Sequence, residues 1–211
     1  MRYADPRGCG TAGERIPSDG MADIIIREAT AADPRGCGTA GRRVPSDGMA
    51  DIIIREATAA DWPRVWELFR GVAAAGDVFA YDEHTPEVVA RKLWFDPPTA
   101  CFVAEIGGRL AGTYYVRPNH PGRGSHVANG GYMVSPEFRG RGLASVMCAH
   151  SIDAARRLGF SSMQFNFVVS TNVAAVRTWE KHGFAVVGRL PKAFRHVTLG
   201  FVDALVMFRD L

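Results

Sequence analysis

The sequence predicts a single mixed α/β domain, of the α/β or α+β class, with a central sheet of about seven strands flanked by about four helices. Three observations lead there. The 211 residues are 47% hydrophobic and 22% charged, the length and composition of one globular core with or without an appendage. Apolar runs with strand and helix periods follow one another in the order β, α, α, β, β, β, α, β, α, β, β. Strands interleaved with helices in this way build a mixed sheet with helices packed against it.

Each element has a local reason. Ile52 to Ile54 form a short apolar strand. A helix follows with Asp61 as its cap, Pro63 in its first turn, and Val65, Trp66, Phe69 and Val72 at helical spacing. "TPEVVARKLWF" predicts a second helix, capped by Thr85 with Pro86 at the first helical position. "ACFVAEIG" and "LAGTYYVR" meet across Gly107-Gly108 as a hairpin. The loop "PNHPGRGSH" leads to the strand "VANGGYMVS". Leu143, Val146, Met147, His150, Ala154 and Leu158 then trace one face of a third helix, ended by Gly159. "MQFNFVVS" is a strand and "NVAAVRTWEKHGF" a short helix. "FVDALVMF" is the closing strand, reached through a connection at Pro191.

The front of the chain is duplicated. Residues 4–33 return at 32–61, differing only where Glu14 becomes Arg42 and Ile16 becomes Val44. Two copies do not make a solenoid, and only the second, from Met49, runs into the first helix. Met49 is therefore the expected natural start, with residues 1–48 an extension dispensable for folding and residues 49–211 the domain. Each copy holds a formal GxGxxG, at Gly8, Gly10, Gly13 and at Gly36, Gly38, Gly41. Both follow a turn and lead to Pro and Asp-Gly, so neither reads as a dinucleotide site.

Several function classes recede. A net charge of +3 without a dense Lys/Arg block does not argue for a nucleic-acid partner. Six histidines stand singly, so no metal site is expected. Cys9, Cys37, Cys101 and Cys148 form no CxxC or disulfide spacing, and no signal-peptide pattern or membrane-length apolar run is present. A cytoplasmic protein with no membrane partner is the expectation.

The stretch "VSPEFRGRGLAS" (134–145) places two arginines and two glycines between a strand and a helix. A helix opening behind a glycine turn presents unpaired N–H groups and a partial positive charge. Gly140 and Gly142 admit a ligand where a Cβ would obstruct it. Arg139 and Arg141 add donors suited to phosphate oxygens. The segment reads as an anion cradle, with a solvated turn as the competing reading. It lacks the Gly-Lys-Ser/Thr of a P-loop, and Ser145 stands where a dinucleotide fold needs a third glycine.

Arg139, Gly142 and Ala144 match Q/RxxGxG/A, and the stretch resembles the acyl-CoA-binding turn of the GCN5-related N-acetyltransferases (GNAT). "NVAAVRTWEKHGF" (172–184) is similar to that family's later motif of Asn, Ala, an aromatic and a final Gly-Phe. The resemblance covers roughly residues 51–211 and implies the GNAT fold with acetyl-CoA as cosubstrate. It implies that the pyrophosphate rests on the turn formed by Arg139, Gly140, Arg141, Gly142, Leu143, Ala144 and Ser145. The pantetheine arm would lie between two splayed strands ending near Val134 and Val169, beside Asn172, Ala175 and Trp179. The blocks "HVANGGYMVSP", "FNFVVSTN", "TWEKHGF", "PKAF" and "VDALV" further resemble the azetidine-2-carboxylate N-acetyltransferase branch of yeast, which acetylates proline-like imino acids.

The resemblance implies direct attack of an amine on the thioester, with the oxyanion held by backbone N–H near Val134. Where many relatives carry a Glu on that strand, this chain has "ANGG", so the base is open between a water-mediated group, His126 and Asp203. Trp179 stands where relatives often carry Tyr. An indole cannot protonate a thiolate, which leaves with solvent as the proton source. Asn172 is both a helix cap and, by resemblance, a pantetheine contact. Asn129 and Asn166, amides within apolar strands, either bind the acceptor's carboxylate or orient its amine, or hydrogen-bond within the sheet. Tyr114 and Tyr115 alternate across their strand, one of them able to line the acceptor pocket. Cys101 and Cys148 read as inert packing.

The expected function is acetyl transfer to the amine of a small amino or imino acid. A protein N-terminus or an antibiotic amine is the rival acceptor, and a noncatalytic acyl-CoA sensor the rival class. Strand pairing between such domains is compatible with a homodimer.

Overall fold

The computed structural model describes residues 26–28 and 52–211. Within the second range lie seven strands and four α-helices, as the sequence predicts: β2 Ile52–Glu56, α1 Trp62–Ala75, α2 Glu87–Trp94, β3 Ala100–Ile106, β4 Arg109–Pro118, β5 Val127–Val134, α3 Leu143–Arg157, β6 Ser162–Val169, α4 Val173–Lys181, β7 Ala185–His196 and β8 Gly200–Asp210. A three-residue strand, β1 (Ile26–Glu28), pairs parallel with β2, and the sheet order is β1-β2-β3-β4-β5-β6-β8-β7. The rest of the duplicated segment, including both GxGxxG stretches, lies outside the described residues. A protein starting at Met49 is expected to unfold cooperatively within a few degrees of the full chain. Thermal denaturation checks this, and loss of the cooperative transition would make the extension part of the fold.

The inner strands of the sheet are buried on both faces. Trp62, Val65, Phe69, Val72 and Trp94 of α1 and α2 pack with Cys101, Val103, Tyr115 and Met133 on one side. Leu143, Met147 and Trp179 of α3 and α4 pack with Tyr114, Val116, Phe165 and Met207 on the other. Tyr114 and Tyr115 therefore enter opposite cores, as strand alternation requires. Gly107 and Gly108 both have positive φ (58° and 76°), the tight turn that joins β3 to β4.

Three local expectations are corrected. Asp61 precedes α1 and Pro63 sits in its first turn, but the Asp61 side chain makes no cap bond to the helix. Its carboxylate instead accepts from both Arg55 nitrogens (2.8 Å each), from Thr58 N–H (2.8 Å) and from Arg64. Thr85 does not cap α2: Pro86 holds that position and the Thr85 hydroxyl turns to Asp82 at 3.5 Å. Pro191 does not interrupt the chain between strands, because β7 runs through it. As the sheet's edge, β7 tolerates a missing N–H. The register shifts between Leu190 and Phe194, where Lys192 has φ 53° and donates its N–H to the Asp203 carboxylate at 2.9 Å.

Candidate active site

Strands β5 and β6 run parallel but pair only over Val127↔Ser162, Ala128↔Met163 and Asn129↔Gln164. Beyond that point β5 stays with β4 through Gly112↔Val134 and β6 with β8 through Val169↔Ala204, so the two strands part. Which groups face the gap follows from the antiparallel alternation. Ser135 N–H bonds to Ala111 O (2.9 Å) and Asn119 N–H to Val127 O (2.8 Å), which makes the odd-numbered residues of β5 the ones bonded to β4. The N–H groups of Gly130, Tyr132 and Val134 consequently point toward β6, into the opening.

Two cavities meet there. The larger, about 700 Å³, runs from the turn before α3 along β5 to the start of α4. Its walls include Val134, Arg139, Gly140, Gly142, Leu143, Ala144 and Ser145 from the first motif. Asn172, Ala175 and Trp179 come from the second. Gly140 and Gly142 both have φ 75°, the left-handed region, and a Cβ on Gly140 would meet no atom within 4 Å. Ser145 and Val146 return their amides to Gly142 O, and Arg139 N–H to Pro136 O. The amides of residues 140–144, between those bonds, form the free N-terminal edge of α3. Arg141, expected beside the phosphates, is not on this wall: its guanidinium stacks 5.4 Å from the Phe138 ring centre. Asn172 does cap α4, accepting from Ala175 N–H at 3.2 Å. Trp179 is buried against Tyr132 and Phe165, with ring centres 4.7 and 5.1 Å away.

The smaller cavity, about 270 Å³, shares Val78, Tyr132, Asn172, Ala175 and Trp179 with the larger and extends to the opposite side of the opening. Asn129 and Asn166 both lie on its wall. Both amides also have partners in the sheet. Asn129 accepts from the Tyr115 hydroxyl (3.1 Å) and donates to Gln164 O (3.2 Å), while Asn166 bridges Gln164 and Asn119 at 2.7 Å each. Two different neighbours explain the glycines of "ANGG": a Cβ on Gly130 would lie 2.6 Å from the Met163 methyl, and Gly131 faces Tyr115. A Cβ on Gly131 would lie 2.7 Å from the Tyr115 ring, so the ring occupies the space a larger residue would need. Burial pushes the Tyr115 hydroxyl up to about 12.

The two bases weighed from sequence fall elsewhere. His126 is exposed, with Nδ1 3.0 Å from Arg123 O. Asp203 holds Arg189 at 2.8 Å and the Lys192 amide, and that backbone bond lowers its pKa first. Neither residue lines either cavity. Asp77, which no motif marks, lies on the wall of the larger cavity, the one carboxylate that lines either of the two, and its Oδ1 is buried without a hydrogen-bond partner. His196 also lines the larger cavity, but its Nδ1 accepts from Thr198 N–H at 3.2 Å. Cys101 and Cys148 are buried away from both cavities, and burial pushes each thiol up to about 12. Among the described residues no group of three or more His, Cys, Asp or Glu side chains is placed to hold a metal. Among them, too, no helix is long and apolar enough to cross a membrane.

A parallel strand pair that splays beside a glycine-arginine helix start defines a class, and the comparisons agree on it. Residues 62–184, more than half of the chain, match the family model "Acetyltransferase (GNAT) family", and the chain belongs to that family. The enzyme class expected from the two motifs is thus the class of its family. A GCN5-related N-acetyltransferase from Kribbella flavida is 41% identical, covers 76% of this chain and 98% of its own, and superposes with a TM-score of 0.72. The yncA protein of Salmonella typhimurium, solved with its cofactor acetyl-CoA, shares the fold at 24% identity and a TM-score of 0.65, over 76% of this chain and 94% of its own. N-acetyltransferase aca1 of Schizosaccharomyces pombe is 40% identical over 100 residues, 46% of this chain and 47% of that protein. The chain spans about half the length of that curated relative.

Proposed function

We propose that the chain transfers the acetyl group of acetyl-CoA to the amine of a small amino or imino acid of the proline-analogue type, by direct attack. The observation that carries this reading is one continuous opening, with an anion cradle at one end and a small aromatic pocket at the other, joined where β5 and β6 part. Acetyl-CoA supplies the thioester whose carbonyl carbon takes the amine and whose thiolate departs. Arg139 and the amides from Gly140 to Ala144 would hold its diphosphate, with Asn172, Ala175 and Trp179 along the arm. Val134 N–H, aimed into the gap, donates to the oxygen on which charge develops, where a prealigned donor contributes roughly 3 kcal/mol. Asp77 accepts the amine's proton directly or through one water. Its unpartnered buried oxygen supports that role, since such an atom is costly unless something meets it in the working state. Asn129 and Asn166, on the wall of the small pocket, orient the acceptor. The buried cysteines have no part, in keeping with transfer that forms no acyl-enzyme.

The test is thiol release from acetyl-CoA with azetidine-2-carboxylate, 4-hydroxyproline, primary amino acids, aminoglycosides and peptides compared in one assay. Turnover concentrated on the small amino and imino acids is expected. Turnover confined to peptides or aminoglycosides would replace the acceptor assignment, and no thiol release with any amine would remove the transfer reading.

A further inference from the structure

The small pocket is walled by aromatic rings and contains a single charged group, Arg117. Arg117 lies on β4 opposite Asn129 of β5, two residues from Tyr115, so all three share one face of the sheet. Its guanidinium rests 5.1 Å from the Tyr115 ring centre and donates once, from Nη1 to Leu93 O at 3.3 Å. No carboxylate pairs with it among the described residues, whereas Arg55, Arg64, Arg91, Arg109, Arg156 and Arg189 each have one. The field of this cation reaches the hydroxyls of Tyr81 and Tyr115, where it opposes the rise in pKa that burial produces.

We infer that Arg117 is the counter-ion for a carboxylate on the acceptor, so that the pocket selects amino and imino acids over amines of the same size that lack a carboxylate. The inference rests on the acetyltransferase reading and adds the residue that sets the acceptor's class. Asn129 and Asn166 can each offer a second amide N–H but carry no charge, so they do not by themselves neutralise a carboxylate. A carboxylate entering an aromatic pocket loses water that only a paired cation and its hydrogen bonds replace. A guanidinium with one donor engaged out of five has the remaining fork to offer, in the planar geometry that suits two carboxylate oxygens. A pocket of about 270 Å³ leaves room for a ring or a short side chain and little more.

The experiment compares kcat/KM for small amino and imino acids, azetidine-2-carboxylate among them, with kcat/KM for their carboxamides, in wild type, Arg117→Gln and Arg117→Lys. Acetyl-CoA affinity measured in the same samples reports that the fold is intact. Wild type is expected to prefer the acids. Arg117→Gln should shrink that preference on the order of 10- to 100-fold, chiefly through KM of the acid, and Arg117→Lys, with charge but no fork, should fall between. If wild type prefers the acids and Arg117→Gln keeps the preference, the inference alone fails. If wild type acetylates no acid, the acceptor reading fails first and takes the inference with it.

Discussion

Replacing Asp61 by alanine is expected to destabilise the domain by about 3 kcal/mol, seen as a Tm lower by roughly 6–12 °C. Asp61 is 2% exposed and is the acceptor at the centre of a cluster that ties β2, α1 and β3 together. Removing it leaves Glu105 as the one carboxylate facing Arg55 and Arg64 and strips the Thr58 amide of its acceptor. Removing one partner of a buried pair costs about 3–5 kcal/mol. The lower end applies because the Arg55 and Arg64 side chains, 24% and 40% exposed, still reach water. The pH dependence follows from the same geometry. Hydrogen bonds from Arg55, foremost, hold the Asp61 carboxyl well below the usual carboxylate range. A depressed folded-state pKa gives stability that is complete above the unfolded value of about 3.9 and is lost as pH falls through the folded one. The Tm gap between wild type and Asp61→Asn should therefore be constant above about pH 5 and narrow below about pH 4. A gap that widened toward low pH would contradict the charged cluster.

Asp77→Asn is expected to lower kcat about 100-fold while leaving acetyl-CoA affinity near wild type. The substitution keeps the size of the side chain and removes its ability to take a proton. Raising the pH increases the fraction of free amine in solution, so the deficit should shrink toward alkaline pH. His196→Gln, on the same wall, serves as the comparison and is expected to have the smaller effect. A kcat within twofold of wild type for Asp77→Asn would remove this carboxylate from the proton transfer.

Much of this was legible in the sequence because the signals are local. The Gly107-Gly108 hairpin, the Asn172 cap and the glycines at 140 and 142 each express a backbone requirement met within a few residues. The two motifs reach one cleft because each sits at a strand-to-helix junction on the same side of the opening. What escaped depends on contacts distant in sequence. Asp61 has the form of a helix cap, yet it faces Arg55 and Arg64, and burial beside two guanidiniums outweighs a single cap bond. "ANGG" reads as a missing carboxylate, whereas side chains from the two neighbouring strands, Met163 at Gly130 and Tyr115 at Gly131, occupy the space. Asp77 and Arg117 carry no motif at all. They matter because the segment after α1 and the end of β4 fold onto the walls of the cleft. Pro191 signals a break, and only its placement on an edge strand, beside a bulge held by Asp203, lets the strand continue.

The central claim is that the cradle before α3 holds the diphosphate of acetyl-CoA, and calorimetric titration of acetyl-CoA into wild type and Arg139→Ala tests it most directly. The account predicts saturable binding at one site in wild type, weakened on the order of 10- to 100-fold by loss of the charged donor. Absence of binding to wild type, or equal affinity in the two proteins, would contradict it.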